Sequence, residues 1–459
     1  MYKKLYHYGF AAYLIMLILS VLLYKERMFF LDTAYNLFHM AKSGRMFLHA
    51  TREGAFMTQL LPLAGIKLGL SLQSIALLYS VGFVVYFSGC YFICGTLLKR
   101  PDFALVILLS SIISIAHTFY YTPSELPQGI AFAMVVIAFG CKAASGKKNA
   151  QSAKMVLFIG GIAASAFFHP LVVFVVMFAL GYFYLHGSSP LPKRQLLLAA
   201  FAFMGTTVYK TVFMRLEYDG HSMSGLKNII KLFPNYIHLY SNSLFLNNCI
   251  TMYYWLPVLF VAILFVYTMR KQWIIAGYFF AAFAGYLFMV NVSFPDNSTP
   301  MFYRENLLLP LTFFIAIPLV FDIFPVLEYK RLALPLFILL LASGCLRIYF
   351  IQDFYASRLA WERSFIADKV DKKLLIHAAS VPLEKLTLAW GTPFEFFVIG
   401  ECEYGKTVSI LIDENPERFG WALNKNNVFF TSWQVYSYSE LKSRYFHFTD
   451  TTTGYSVVK

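Results

Sequence analysis

Polar and apolar positions in this chain alternate on the scale of membrane spans rather than of turns. His7 to Tyr24 runs for about 18 residues without a formal charge, near the roughly 20 that carry a helix across a bilayer's hydrocarbon core. Lys3 and Lys4 precede it and no small-residue cleavage site follows, so it reads as a retained transmembrane helix rather than a signal peptide. Comparable apolar stretches follow at Ser71–Leu98, Asp102–Tyr121, Ile130–Cys141 with its flanks, Met155–His169 and Leu171–His186. Others lie at Gln195–Met214, Thr251–Met269, Trp273–Val290, Leu307–Phe324 and Leu332–Phe350. The pattern predicts a mainly α, polytopic membrane domain of about eleven spans over residues 1–351.

Two segments break the rhythm. Residues 25–70 form a long first loop, in which Leu31 to Lys42 mixes Tyr35, Phe38 and Met40 with Asp32, Asn36 and Lys42, the pattern of an amphipathic helix lying in the interfacial plane. Gln59 to Leu70 is apolar but too short to cross, and reads as a second interfacial piece. From Gln352 the composition becomes that of a small α+β domain, residues 352–459. Strands are expected at Leu386–Trp390, Phe394–Ile399, Thr407–Ile412, Val428–Trp433 and Tyr445–Thr449, with helices near Ser357–Ala379 and Ser439–Ser443.

Composition agrees with the pattern: the 459 residues are 59% hydrophobic and only 14% charged, too few charges for an ordinary soluble protein. The formal charge of +14 does not point to nucleic acid, because the cations fall in short clusters between apolar runs and leave no basic face to track phosphates. Lys3/Lys4, Lys99/Arg100, the Lys142 to Lys154 run, Lys193/Arg194, Arg270/Lys271 and Lys330/Arg331 all land on one side of the expected topology, which is then cytoplasmic. The Asp32 loop, Glu125, His169, the Arg215 to Asn248 segment, the Arg304 loop and the C-terminal domain fall on the other side. The six cysteines are scattered; Cys90 and Cys94 share a helix face but lack further metal ligands, and read as packing residues.

Among the outer polar residues, Asp32 is the sharpest signal. Beside Phe29, Phe30 and Leu31 it is partly desolvated, which raises its basicity and suits it to take a proton from a hydroxyl; it equally suits a helix N-cap for Thr33 onward. Glu125 stands between two prolines, where a fixed carboxylate binds a hydroxyl or a metal, or is simply a solvated turn residue. His169, at the tip of an apolar hairpin, is a donor to phosphate or sugar, or satisfies a backbone carbonyl. Arg304 follows Tyr303, a further substrate-contact candidate, on the side where topology gives a cation no purpose, and its guanidinium matches a phosphate at headgroup depth. The alternatives are a pair with Glu305 or snorkelling to lipid. Lys227 and Lys231, four apart, add positive charge to such a site or touch anionic lipid.

In layout, most of residues 1 to 350 resembles the C-type (GT-C) superfamily of integral-membrane glycosyltransferases. The local echo is LDTAYNLF at 31–38 followed by TQLLPLAGIKLGLS at 58–71. The resemblance implies an inverting sugar transfer from a polyprenyl-phosphate-linked donor on the extracytoplasmic face of a bacterial inner membrane. It makes the first-loop aspartate, here Asp32, the general base and assigns the lipid phosphate to an outer arginine, which by location is Arg304. Several members carry two adjacent acids in the first loop. Here Thr33 follows Asp32, so a divalent cation stays open and no cofactor is assigned. A lipid-linked-sugar flippase, an O-antigen polymerase or ligase, and a non-catalytic scaffold are the rival readings. Charges kept at the outer rim rather than deep in the spans favour an enzyme over a transporter.

Overall fold

The computed structural model describes residues 1–49, 52–144, 148–187, 191–214 and 225–458. Among them, seven helices are long and apolar enough to cross a membrane: Tyr2–Leu22, Leu72–Leu97, Glu125–Ala144, Lys193–Phe213, Trp273–Ser293, Met301–Tyr329 and Ala333–Ile366. Tyr240–Thr251 and Trp255–Met269, bent by 90°, make an eighth if they form one broken span. Pro101–Ser110, Gln151–Phe167 and Val172–Leu185 are apolar but shorter. Length and composition thus give a membrane protein of seven or eight full spans, where the sequence pattern suggested eleven. Met301–Tyr329 is the most enclosed of the seven, and it carries the Tyr303–Arg304–Glu305 run.

The expected Asp102–Tyr121 span shows why the count differs: its helix stops at Ser110. The Ser110 and Ser111 hydroxyls donate to the carbonyls of Val106 and Ile107 at 2.5 and 2.9 Å, drawing on acceptors of the helix ladder. Beyond the break, two buried ions hold the backbone. The Glu305 carboxylate accepts the amides of Ala116, His117 and Thr118 at 2.9, 3.0 and 2.6 Å. Arg347 donates to the carbonyls of Ile113 and Ile115 at 2.9 and 3.0 Å, and also to that of Ile112. Irregular backbone persists inside a bundle only where protein groups satisfy it in this way. The segment so held delivers Tyr121 to the site described below.

Three tight turns between helices place a cation in left-handed backbone, and two of them share one hydrogen-bond design. Lys99, Lys271 and Arg331 each adopt a left-handed backbone, with φ of 58°, 55° and 56°. Around Lys271, Gln272 N–H bonds to the Tyr267 carbonyl at 2.9 Å and Lys271 N–H to that of Thr268 at 3.0 Å; Leu332 and Arg331 repeat this pattern on Leu327 and Glu328. This is the Schellman ending of a helix, with a cation where glycine is usual. The positive side chains complement the carbonyl end of each helix dipole. The basic clusters that suggested topology thus also terminate helices.

In the C-terminal region, β1 (Lys373–His377), β2 (Ser409–Asp413) and β5 (Ser456–Val458) form a parallel sheet in the order β2-β1-β5, while β3 (Val428–Phe430) pairs antiparallel with β4 (Val435–Ser437). Several sequence expectations change here. Lys373–His377 is a strand rather than the end of a helix, and Phe394–Ile399 belongs to a helix, Thr392–Ile399. Leu386–Trp390 is not a strand, and Tyr445–Thr449 has no regular structure. Phe394 to Ile399 is buried on every side, so its apolar run carries no periodicity to separate helix from strand.

The expected interfacial helix exists as Leu31–Ser43, and a second short helix at Leu60–Lys67. Its surroundings were not foreseen. Leu37, Phe38 and Met40 share one hydrophobic core with Phe394, Phe397, Phe429 and Phe446 of the C-terminal region. The Asp32 helix and the C-terminal region are therefore packed on a common core.

Candidate functional site

The site grows from the first turn of the Leu31–Ser43 helix. Phe30 stands at its N-cap without a side-chain bond, and Asp32 lies inside the first turn, where the helix dipole favours a carboxylate. The cap itself is therefore not Asp32. Its half-buried carboxylate instead accepts, on Oδ2, the hydroxyls of Tyr121 at 2.5 Å and Tyr303 at 3.2 Å. Burial pushes the Asp32 carboxyl up to about 6; the two tyrosine hydroxyls pull against it, Glu125 adds to the rise and Arg52 opposes it. Thr33, in the place of a second acid, faces away: its hydroxyl donates to the carbonyls of Arg27 and Phe30 at 2.7 and 2.5 Å.

Glu125 and His169 join this group through two cations. Arg52 pairs with Glu125 at 2.8 Å, both side chains largely buried. Glu125 is the first residue of the Glu125–Ala144 helix, not a residue of a solvated turn, and its charge sits at the positive end of that helix. His169 accepts the Leu171 amide on Nδ1 at 3.1 Å. Burial, and then the positive charges of Arg52 and Lys210, hold its pKa well below the ordinary imidazole value. Lys210, near the end of the Lys193–Phe213 helix, is 7% exposed and donates to the Ala166 carbonyl at 3.2 Å.

The sequence candidates thus divide. Asp32, Glu125, His169 and Tyr303 converge; Lys227, Lys231 and Arg304 do not join them. Lys227, just before the short Asn228–Lys231 helix, and Lys231, its last residue, are exposed. Arg304 is buried and committed to its own loop, donating to the carbonyls of Thr299 and Phe294 at 3.1 Å each and to that of Asp296. Nor does it pair with Glu305, which is occupied by the amides described above. Residues 215–224 of the expected Arg215 to Asn248 segment lie outside the described residues.

Sequence reasoning missed Arg52, Lys210 and Tyr121. The signal for the two cations was available: each lies where positive-inside topology gives it no purpose, the argument applied to Arg304. A lysine inside an apolar span is itself a functional marker.

Among the described residues no three His, Cys, Asp or Glu side chains gather as a metal-ligand set. With Arg52 on Glu125 and two hydroxyls on Asp32, the donors do not fit a divalent cation. No family model, curated protein or solved structure matches this chain.

Proposed function

We propose that this protein is a membrane glycosyltransferase that moves a sugar from a polyprenyl-phosphate-linked donor to an acceptor hydroxyl, with inversion. The observation that carries the reading is the convergence, at the edge of an apolar bundle, of one carboxylate of raised basicity with two buried cations. Asp32 takes the acceptor's proton as its oxygen bonds the anomeric carbon, and the bond from that carbon to phosphate breaks with its electron pair leaving on the phosphate. Arg52 and Lys210, with the ring of His169 beside them, meet the departing charge. Tyr121 and Tyr303 orient Asp32, and Glu125 fixes Arg52. The resemblance to the C-type superfamily supports this division of labour, with Arg52 rather than Arg304 as the phosphate arginine. In this reading the shorter apolar helices complete about eleven crossings, the N-terminus is cytoplasmic in a bacterial inner membrane, and the site opens on the opposite face.

A second reading keeps one specific observation. Asp322, inside the bundle, is 3% exposed and accepts from Tyr267 at 2.6 Å, from Tyr182, and pairs with His186 at 2.8 Å. Charges are thus not confined to the outer rim as the sequence suggested: this buried carboxylate lies near Tyr2 at the opposite end of the bundle, and buried ionisable groups of this kind would also serve a lipid-linked-sugar transporter.

Native mass spectrometry of the detergent-purified protein with polyprenyl phosphate tests the assignment. Wild type, Asp32→Asn and Arg304→Ala are expected to retain the lipid. Arg52→Ala is expected to weaken it by about 10- to 100-fold, the worth of a charge-assisted hydrogen bond. Loss of binding in Arg304→Ala with retention in Arg52→Ala overturns the assignment.

A further inference from the structure

The helix that carries Asp32 begins with an amide that its own chain neighbourhood does not satisfy. First-turn N–H groups need acceptors from outside the helix, and Phe30 at the N-cap offers no side-chain oxygen. The Leu31 N–H instead donates to Glu395 Oε1 at 2.7 Å, a partner 364 residues away in the C-terminal region. Leu31 also holds a φ of 36°, a conformation a leucine adopts only when its surroundings impose it.

Those surroundings are built to that shape. Gly391, just before the Thr392–Ile399 helix that carries Glu395, lies so close that a Cβ there would come within 2.4 Å of Leu31 Cδ2. The other oxygen of Glu395 accepts from Arg358 at 2.7 Å, and Arg358 pairs with Glu362 at 2.9 Å. The Arg358 guanidinium also lies over the Phe30 ring, 4.9 Å from its centre. Phe30 and Leu31, the two residues before Asp32, are thus gripped by one buried charged cluster, with the Arg358, Glu362 and Glu395 side chains at most 4% exposed. Surface docking of an accessory domain would not need a desolvated ionic cluster at the entry to the helix.

We propose that Glu395 is a positioning residue for Asp32, so that the C-terminal region sets the geometry and solvent access of the candidate base instead of merely covering it. The proposal rests on Asp32 as the reactive carboxylate. Its mechanical part, control of Asp32 by Glu395, is testable without any sugar donor. Glu395 touches neither Asp32 nor a substrate; it acts through the Leu31 peptide.

The test is the pH profile of dicyclohexylcarbodiimide labelling of Asp32 in the full-length purified protein, which reports the protonated carboxyl, read by peptide mass and normalised to exposed carboxylates. Wild type is expected to titrate near the raised value caused by burial, about 6. In Glu395→Ala the released turn admits water to Asp32, and the midpoint falls by about one pH unit or more. Glu395→Gln, with one oxygen for two donors, falls between. Glu395→Asp, which shortens the reach to the Leu31 amide while keeping a carboxylate beside Arg358, lowers the midpoint even if Glu395→Ala does not fold. Folded Glu395→Ala or Glu395→Asp protein with a wild-type midpoint overturns the proposal. If these midpoints move as expected but wild type transfers no sugar, the positioning stands and the glycosyltransferase reading fails.

Discussion

Asp32, half-buried, and Glu305, fully buried, are both carboxylates that accept tyrosine hydroxyls, yet they are equipped for opposite tasks. Both oxygens of Glu305 are doubly occupied: Oε1 by the amides of Ala116 and Thr118, Oε2 by the amide of His117 and the Tyr253 hydroxyl. Asp32 receives two hydroxyls, both on Oδ2. Backbone donors cannot leave without unmaking the chain path, so Glu305 is an anchor. Hydroxyl donors also rotate and accept, so Asp32 keeps the capacity to take a proton. A buried carboxylate is informative about chemistry only once its donors are known.

The largest difference between the two carboxylates is expected in stability. Glu305→Ala leaves three amides and a hydroxyl without their acceptor in a buried site, and is expected to cost about 3 kcal/mol or more, seen as a large drop in melting temperature. Asp32→Asn is expected to leave stability at pH 7.5 unchanged or raised. The sign follows from the pKa: folding lifts the Asp32 carboxyl from the ordinary carboxylate range to about 6, so above that pH the ionised form is disfavoured by folding and removing the charge relieves it. A marked loss of stability in Asp32→Asn would make Asp32 a structural group like Glu305.

A smaller effect separates the two arginines. Arg304→Ala frees the carbonyls of Phe294, Asp296 and Thr299, with an expected loss of about 1–2 kcal/mol in thermal or denaturant unfolding and lipid-phosphate affinity within about twofold of wild type. A change in affinity without a change in stability would return Arg304 to the site. The smallest effect is expected from Tyr303→Phe. Losing a hydroxyl that favours the charged carboxylate raises the Asp32 midpoint by about a few tenths of a pH unit, measured by the same carbodiimide profile. A downward shift would mean that Tyr303 does not stabilise the ionised form.

Much of this was legible in the chain, and the reasons for the remainder are physical. Asp32 stood out because a lone acid beside Phe29, Phe30 and Leu31 is a costly arrangement, and the amphipathic spacing of its helix followed from local pattern. The early stop at Ser110 was hidden because hydropathy reads Asp102–Tyr121 as one apolar run, while the groups that hold the irregular backbone beyond it, Glu305 and Arg347, lie 187 to 235 residues away in the chain. Arg304 was overvalued because sequence gives a cation's location but not the carbonyls that occupy it. Arg52 and Lys210 were overlooked although the same topological argument reached them. The grip of Glu395 on Leu31 had no local signature, since its partners are brought together only by the shared core of Phe38, Phe394 and Phe397.

The most direct test follows the release of polyprenyl phosphate from polyprenyl-phosphate-linked hexoses and pentoses in bacterial membrane extracts, with purified wild type and Asp32→Asn compared across pH 5 to 8. Wild-type release is expected to fall as pH drops through about 6, where Asp32 takes up its proton, whereas Asp32→Asn releases less by about a thousandfold at pH 8 and shows no such fall. Release that survives in Asp32→Asn with the wild-type pH profile would contradict Asp32 as the base.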